Sequence, residues 1–127
     1  MTNSRRPRKP TADDSPTRKT LFILKREGHL QAVVEHFNPH ARVRQDLFGF
    51  IDVLALNAAG TTAIQACARG DMSTRRNKIL KHHNLRAVIN ANWRVELWGW
   101  KGKECKIEVI EIDGEPKSSL DRIVIID

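Results

Sequence analysis

The chain has 127 residues, 40% of them apolar and 29% charged, which fits one small domain with a packed core and excludes global disorder. No run approaches the ~18 consecutive apolar residues of a membrane-spanning helix, and the basic N-terminus has no apolar stretch behind it, so neither a membrane span nor a secretory leader is expected and a cytoplasmic location is. The net charge of +7 hides a gradient: residues 1–16 carry 4 basic and 2 acidic groups, residues 17–103 carry 15 and 6, and residues 104–127 carry 3 and 7. A central excess of this size is neutralised most readily by a phosphate backbone, which makes nucleic acid the leading class of partner.

Residues 1–15, with Arg5, Arg6, Pro7, Arg8, Lys9 and Pro10, lack apolar periodicity and read as a disordered basic arm ahead of a single domain, 16–127. Ser15-Pro16 is an N-cap and first-turn signal, Leu21 to Leu24 supply an apolar stripe, and Gly28 is a stop, so a helix is expected over about 16–27. Leu30 to Phe37 reads as a strand broken at Asn38-Pro39, with a loop after it, and Phe50–Leu56 and Thr61–Cys67 flank Asn57-Ala58-Ala59-Gly60 as a hairpin. Residues 73–81 form a strongly basic helix, a second helical turn follows over 85–91, and strands are expected around 95–100 and 107–112, with Arg122–Ile126 as an edge strand. That order gives an α/β sheet with helices on its faces.

Asp52 is the most informative residue, because it stands inside the apolar run Phe50-Ile51-Asp52-Val53-Leu54-Ala55-Leu56. A carboxylate desolvated there costs several kcal/mol unless it is paired, by backbone donors or a buried Arg, or holds a cation. Glu35 on the preceding strand, Asp46 six residues earlier and Gln65 on the next strand bring oxygens that adjacent strands can gather. Oxygen donors of this kind suit Mg²⁺ or Mn²⁺. Asp46 reads equally well as a turn cap. Cys67 reads as a core residue rather than a nucleophile, since no His or Asn partner is signalled near it. The five histidines, including the adjacent His82 and His83, lack metal-site spacing. Arg42 and Arg44, before Asp46, and Arg75, Arg76, Lys78 and Lys81, on the basic helix, are the candidate phosphate contacts. Trp98 and Trp100 share one strand face, where they pack in the core or stack on bases.

In this order of elements and residues the chain resembles the PD-(D/E)XK nuclease superfamily, especially its small Holliday-junction-resolvase-like members and related phage nucleases. Gly49-Phe50-Ile51-Asp52 lies where that family has its Asp, and Gln65-Ala66-Cys67 where it has (D/E)XK; the likeness covers about residues 16–100. It departs in the neutral Gln65 and in Cys67, which replaces the catalytic Lys. The resemblance implies a restriction-endonuclease-like αβββαβ core with a mixed central sheet. It implies a Mg²⁺- or Mn²⁺-dependent endodeoxyribonuclease acting on DNA, including branched DNA, as a homodimer. Asp52 would be a metal ligand and Gln65 a substituted one, assisted by Asp46 and by Glu35 or Glu27, with Lys78 or Arg75 supplying the displaced cation. The alternative is a catalytically inactive nucleic-acid-binding module of the same fold.

Overall fold

The computed structural model describes residues 8–112 and 121–127. The first seven residues of the expected arm therefore lie outside the described residues. Residues 8–15 already lie against the first helix: Asp14 accepts from the Thr11 amide at 2.7 Å and from Arg8 at 3.2 Å, and Pro10 is buried.

Helix α1 runs Pro16–Arg26, with the Ser15 hydroxyl accepting from the Arg18 amide at 3.1 Å as its N-cap. Strand β1 (Leu30–Val33) follows, then a small hairpin of β2 (His36–Asn38) and β3 (Val43–Gln45), then β4 (Val53–Asn57) and β5 (Gly60–Ala68). A short 3₁₀ turn at Arg69–Asp71 leads into α2 (Met72–Leu80) and α3 (Leu85–Asn90), and β6 (Arg94–Lys101), β7 (Glu104–Ile110) and β8 (Arg122–Ile125) complete the chain. The main sheet has the order β1-β4-β5-β6-β7-β8. Its β5–β6 pair is parallel and its other pairs are antiparallel. The protein is thus α/β with a mixed six-stranded sheet between helices. No helix among the described residues is long and apolar enough to cross a membrane.

Both sheet faces are covered, and alternation along the strands divides the core in two. Ile64, Val53, Ala55, Trp98, Trp100 and Ile107 pack with Ile23 and Leu24 of α1. Ala63, Cys67, Val95 and Leu97 pack on the other face with Met72 and Ile79 of α2 and Leu85 and Val88 of α3. Cys67 and Cys105 are buried as free thiols on opposite faces.

Two expectations need correction. The single strand Leu30–Phe37 is two, and the loop after it holds β3. Asn38 turns the chain by accepting from the amides of His40 and Ala41, at 2.9 and 3.2 Å, and Arg42 takes φ 54°, an Asx turn that returns β3 onto β2. Trp98 and Trp100 are 0% and 3% exposed, so neither ring is available to a base. The Trp98 indole N–H donates to Glu96 at 3.0 Å, and that of Trp100 donates to the Thr20 hydroxyl at 2.9 Å.

Candidate metal centre

Strand register gathers the acidic residues, with Asp52 at the middle. Leu47 and Ile51 form an antiparallel bridge across a tight turn, so Asp46 and Asp52, one residue further out on each side, become neighbours. The turn closes through the amides of Phe50 and Ile51, which donate to the Leu47 carbonyl at 3.3 and 3.0 Å. It needs a left-handed backbone at Phe48 (φ 54°) and Gly49 (φ 92°). Gly49 is also required by space, since a Cβ there would run into the His82 ring. In the β2–β3 hairpin His36 faces Gln45, so Glu35 and Asp46 extend that pairing by one step. The Val34 amide donates to the Asp52 carbonyl at 2.8 Å, which sets Glu35 beside Asp52 as well. In β4–β5 the last pair is Val53 with Ile64, and the next step outward brings Asp52 opposite Gln65.

Carboxylate oxygens of Glu35, Asp46 and Asp52 consequently lie within 4.8 Å of one another. Asp52 is 6% exposed and Gln65 2% exposed. The Gln65 amide nitrogen donates to Asp46 Oδ2 at 3.0 Å and lies 3.5 Å from Asp52 Oδ1, while the Ala66 backbone amide donates to Asp52 Oδ2 at 3.0 Å. Burial, and then the hydrogen bond and charge of Asp46 with a further contribution from Glu35, push the Asp52 carboxyl up to about 7; the Ala66 amide opposes the shift. Near neutral pH the Asp52 carboxyl therefore exchanges its proton readily.

The buried Gln65 Oε1 has no hydrogen-bond partner among the described residues. An orphaned amide oxygen in a buried site costs about 1–3 kcal/mol, and the nitrogen of the same amide is the end that faces Asp46 and Asp52. The all-oxygen set of three carboxylates fits a hard divalent cation such as Mg²⁺ or Mn²⁺ and does not suit a thiophilic metal.

Of the two early acids, Glu35 joins the cluster, although Arg44 pairs with it at 3.1 Å. Glu27 is held by Arg122 through two bonds of 2.8 and 3.0 Å. Burial pushes the Cys67 thiol up to about 11, which keeps it neutral, and the positive charge of Arg75 is the first influence that opposes this. Arg75 is half-buried on α2. Lys78 is exposed on the same helix, and its charge acts on His82, disfavouring protonation there after burial and His83. The expected phosphate contacts also separate. Arg76 grips the buried Glu108 through bonds of 2.7 and 2.6 Å and Arg44 is committed to Glu35, whereas Arg42, Lys78 and Lys81 are exposed.

No family model, no curated protein and no solved structure matches the chain.

Proposed function

We propose that this protein is a metal-dependent endodeoxyribonuclease of the PD-(D/E)XK type, with a restriction-endonuclease-like core, that hydrolyses DNA phosphodiesters at branched, Holliday-junction-like structures. The observation that carries this reading is the cluster of Glu35, Asp46 and Asp52 carboxylates within 4.8 Å of one another, joined by the buried Gln65, whose Oε1 has no hydrogen-bond partner among the described residues. The order helix α1, antiparallel strands β1, β4 and β5, helices α2 and α3, and parallel strand β6 supports it, with the β2–β3 hairpin as an insertion.

Asp52, Asp46 and Gln65 would hold Mg²⁺ or Mn²⁺, with Glu35 alongside. A bound divalent cation supplies an activated water and screens charge developing on the scissile phosphate. Without the cation the Gln65 amide nitrogen joins Asp46 to Asp52, so as a ligand Gln65 would turn its amide over to offer the oxygen; the Ala66 amide fixes the orientation of the Asp52 carboxylate. Arg75, rather than Lys78, is the cation nearest the role of the displaced Lys, and Arg42, Lys78 and Lys81 draw in the phosphate backbone. A two-fold homodimer would match the two symmetric strands of a four-way junction.

A second reading, a nucleic-acid-binding module without cleavage, is favoured by the neutral thiol at Cys67. End-labelled linear, single-stranded, flapped and four-way-junction DNA, incubated with Mg²⁺, Mn²⁺ or a chelator, separate the two. Cutting of the junction with metal and none in chelator is the expected result. Salt-sensitive gel shifts without cutting on all four DNAs would transfer the chain to the second reading.

A further inference from the structure

We infer that the apolar hollow beside Phe48 and Trp93 is a nucleobase-binding site that captures one unstacked base beside the metal centre; this rests on the proposal that the chain acts on DNA. The hollow measures about 320 Å³ and is lined by Phe48, Asn84, Ala87, Val88, Ala91 and Trp93. Phe48 is 48% exposed although it is a large aromatic, and it occupies a left-handed backbone (φ 54°) that a Phe seldom adopts. That conformation is held from two sides. Asn84 Nδ2 donates to the Phe48 carbonyl at 3.1 Å, and the His82 ring sits against the neighbouring Gly49, where a Cβ would run into it. Such strain persists only where surrounding contacts over-determine it, and it is found preferentially at sites that grip a ligand.

The Phe48 and Trp93 rings meet as a contacting pair, centroids 6.1 Å apart and planes tilted by 44°, so they form a wedge closed at its apex, and a base stacks on the exposed side of Phe48 rather than between the two rings. Location and charge select the occupant. Phe48 lies inside the turn that carries Asp46 at one end and Asp52 just past the other, so one turn of backbone links the hollow to the carboxylates. The exposed Lys78 and Lys81 lie at the end of α2, next to His82, whose ring packs on Phe50 of the same turn at 5.4 Å, and they supply the cations a phosphate backbone needs there. An exposed aromatic face, an amide and flanking cations are the equipment for stacking a base from single-stranded or unpaired nucleic acid.

Trp93 is the one partly exposed tryptophan, because Trp98 and Trp100 are buried, so the Trp93 share of the protein fluorescence is the part that a base at the wedge quenches. Oligothymidylate titrated into the wild type in chelator is expected to quench that fluorescence. Phe48→Asn removes the ring while suiting the left-handed backbone, and it should weaken oligothymidylate binding about ten-fold while leaving Mn²⁺ affinity and the affinity for blunt duplex unchanged. A 2-aminopurine base in the oligonucleotide should lose its fluorescence on binding the wild type, a readout that needs no variant. Equal affinities of wild type and Phe48→Asn, or an unquenched 2-aminopurine, would overturn the inference. Self-association of the wild type that Phe48→Asn abolishes, without any effect on oligothymidylate, would overturn it in favour of a second copy of the chain. If the wild type binds no nucleic acid, the base site and the DNA-cutting reading fall together, and Mn²⁺ titration still tells whether the metal centre stands.

Discussion

Asp52→Asn is expected to make the metal-free protein more stable above pH 7 than the wild type, by at most about 4 kcal/mol, with the two equally stable near pH 4. The sign follows from the raised carboxyl. Asp52 ionises at about 7 in the folded protein and near 3.8 when unfolded, so between those values the folded state binds the additional proton. Stability that is complete below about pH 4 is lost as the pH rises to 7, and the loss levels off once both states are ionised. Asparagine has no proton to lose and keeps an oxygen for the Ala66 amide. A divalent cation reverses the balance, since it binds the ionised folded cluster: at a hundred times its Kd it stabilises by about 2.7 kcal/mol. Mn²⁺ should therefore raise the wild-type Tm at pH 8, raise it much less at pH 5.5 where protons compete, and leave Asp52→Asn unmoved. Thermal melts at the three pH values, with and without Mn²⁺, check all of this. A variant less stable than wild type at pH 8 would identify Asp52 as a structural acid whose bond to Ala66 outweighs its burial.

Trp98→Ala should cost about 3–5 kcal/mol of stability, a fall in Tm of more than roughly 10 °C. Trp98 is fully buried in the half of the core beneath α1. Its removal leaves a cavity, takes the indole N–H from Glu96 and takes the ring from beneath the Arg122 guanidinium, 5.7 Å from its centroid. Glu96 keeps Arg94 at 2.7 Å, so Trp98→Phe, which fills most of the volume, should cost only about 1–2 kcal/mol. Urea unfolding of the three proteins measures the series. If Trp98→Ala instead melts like the wild type and loses DNA affinity, the ring is a base platform and its burial is misassigned.

Much of the fold was legible because its signals are local. Ser15-Pro16 and Gly28 bracket α1, the Asn57–Gly60 connection is the β4–β5 hairpin, and Arg122–Ile125 is the edge strand its β-branched run suggested. The β2–β3 hairpin was not legible. Both strands are short and largely exposed, so neither leaves an alternating apolar pattern, and the turn between them depends on the Asn38 side chain. Along β6 both faces are covered, so Val95 and Leu97 alternate with Glu96, Trp98 and Trp100 without any polar face, and sequence could not choose between core and base stacking for the tryptophans.

The site divides in the same way. Asp52 was conspicuous as a charge in an apolar run, and Gln65 followed from its place on the next strand. Asp46 reads from sequence as a turn cap as readily as a ligand, since its approach to Asp52 is made by the Leu47–Ile51 bridge and the left-handed Phe48-Gly49 pair. Whether an Arg on α2 points to the carboxylates or away is a matter of helix phase against the sheet. Arg75 and Arg76 are adjacent, yet one influences Cys67 and the other is taken by Glu108 on β7. Phe48 and Trp93 carried no signal, because their wedge forms between residues 45 positions apart in sequence.

Whether the cluster around Asp52 holds a metal used to cut DNA is read from an end-labelled four-way junction incubated with wild type and Asp52→Ala side by side in Mn²⁺, with folding and junction binding of both proteins measured in chelator. The wild type should cut and Asp52→Ala should not, while both fold and shift the junction alike. Equal cutting by the two proteins would rule out Asp52 as part of a catalytic metal site.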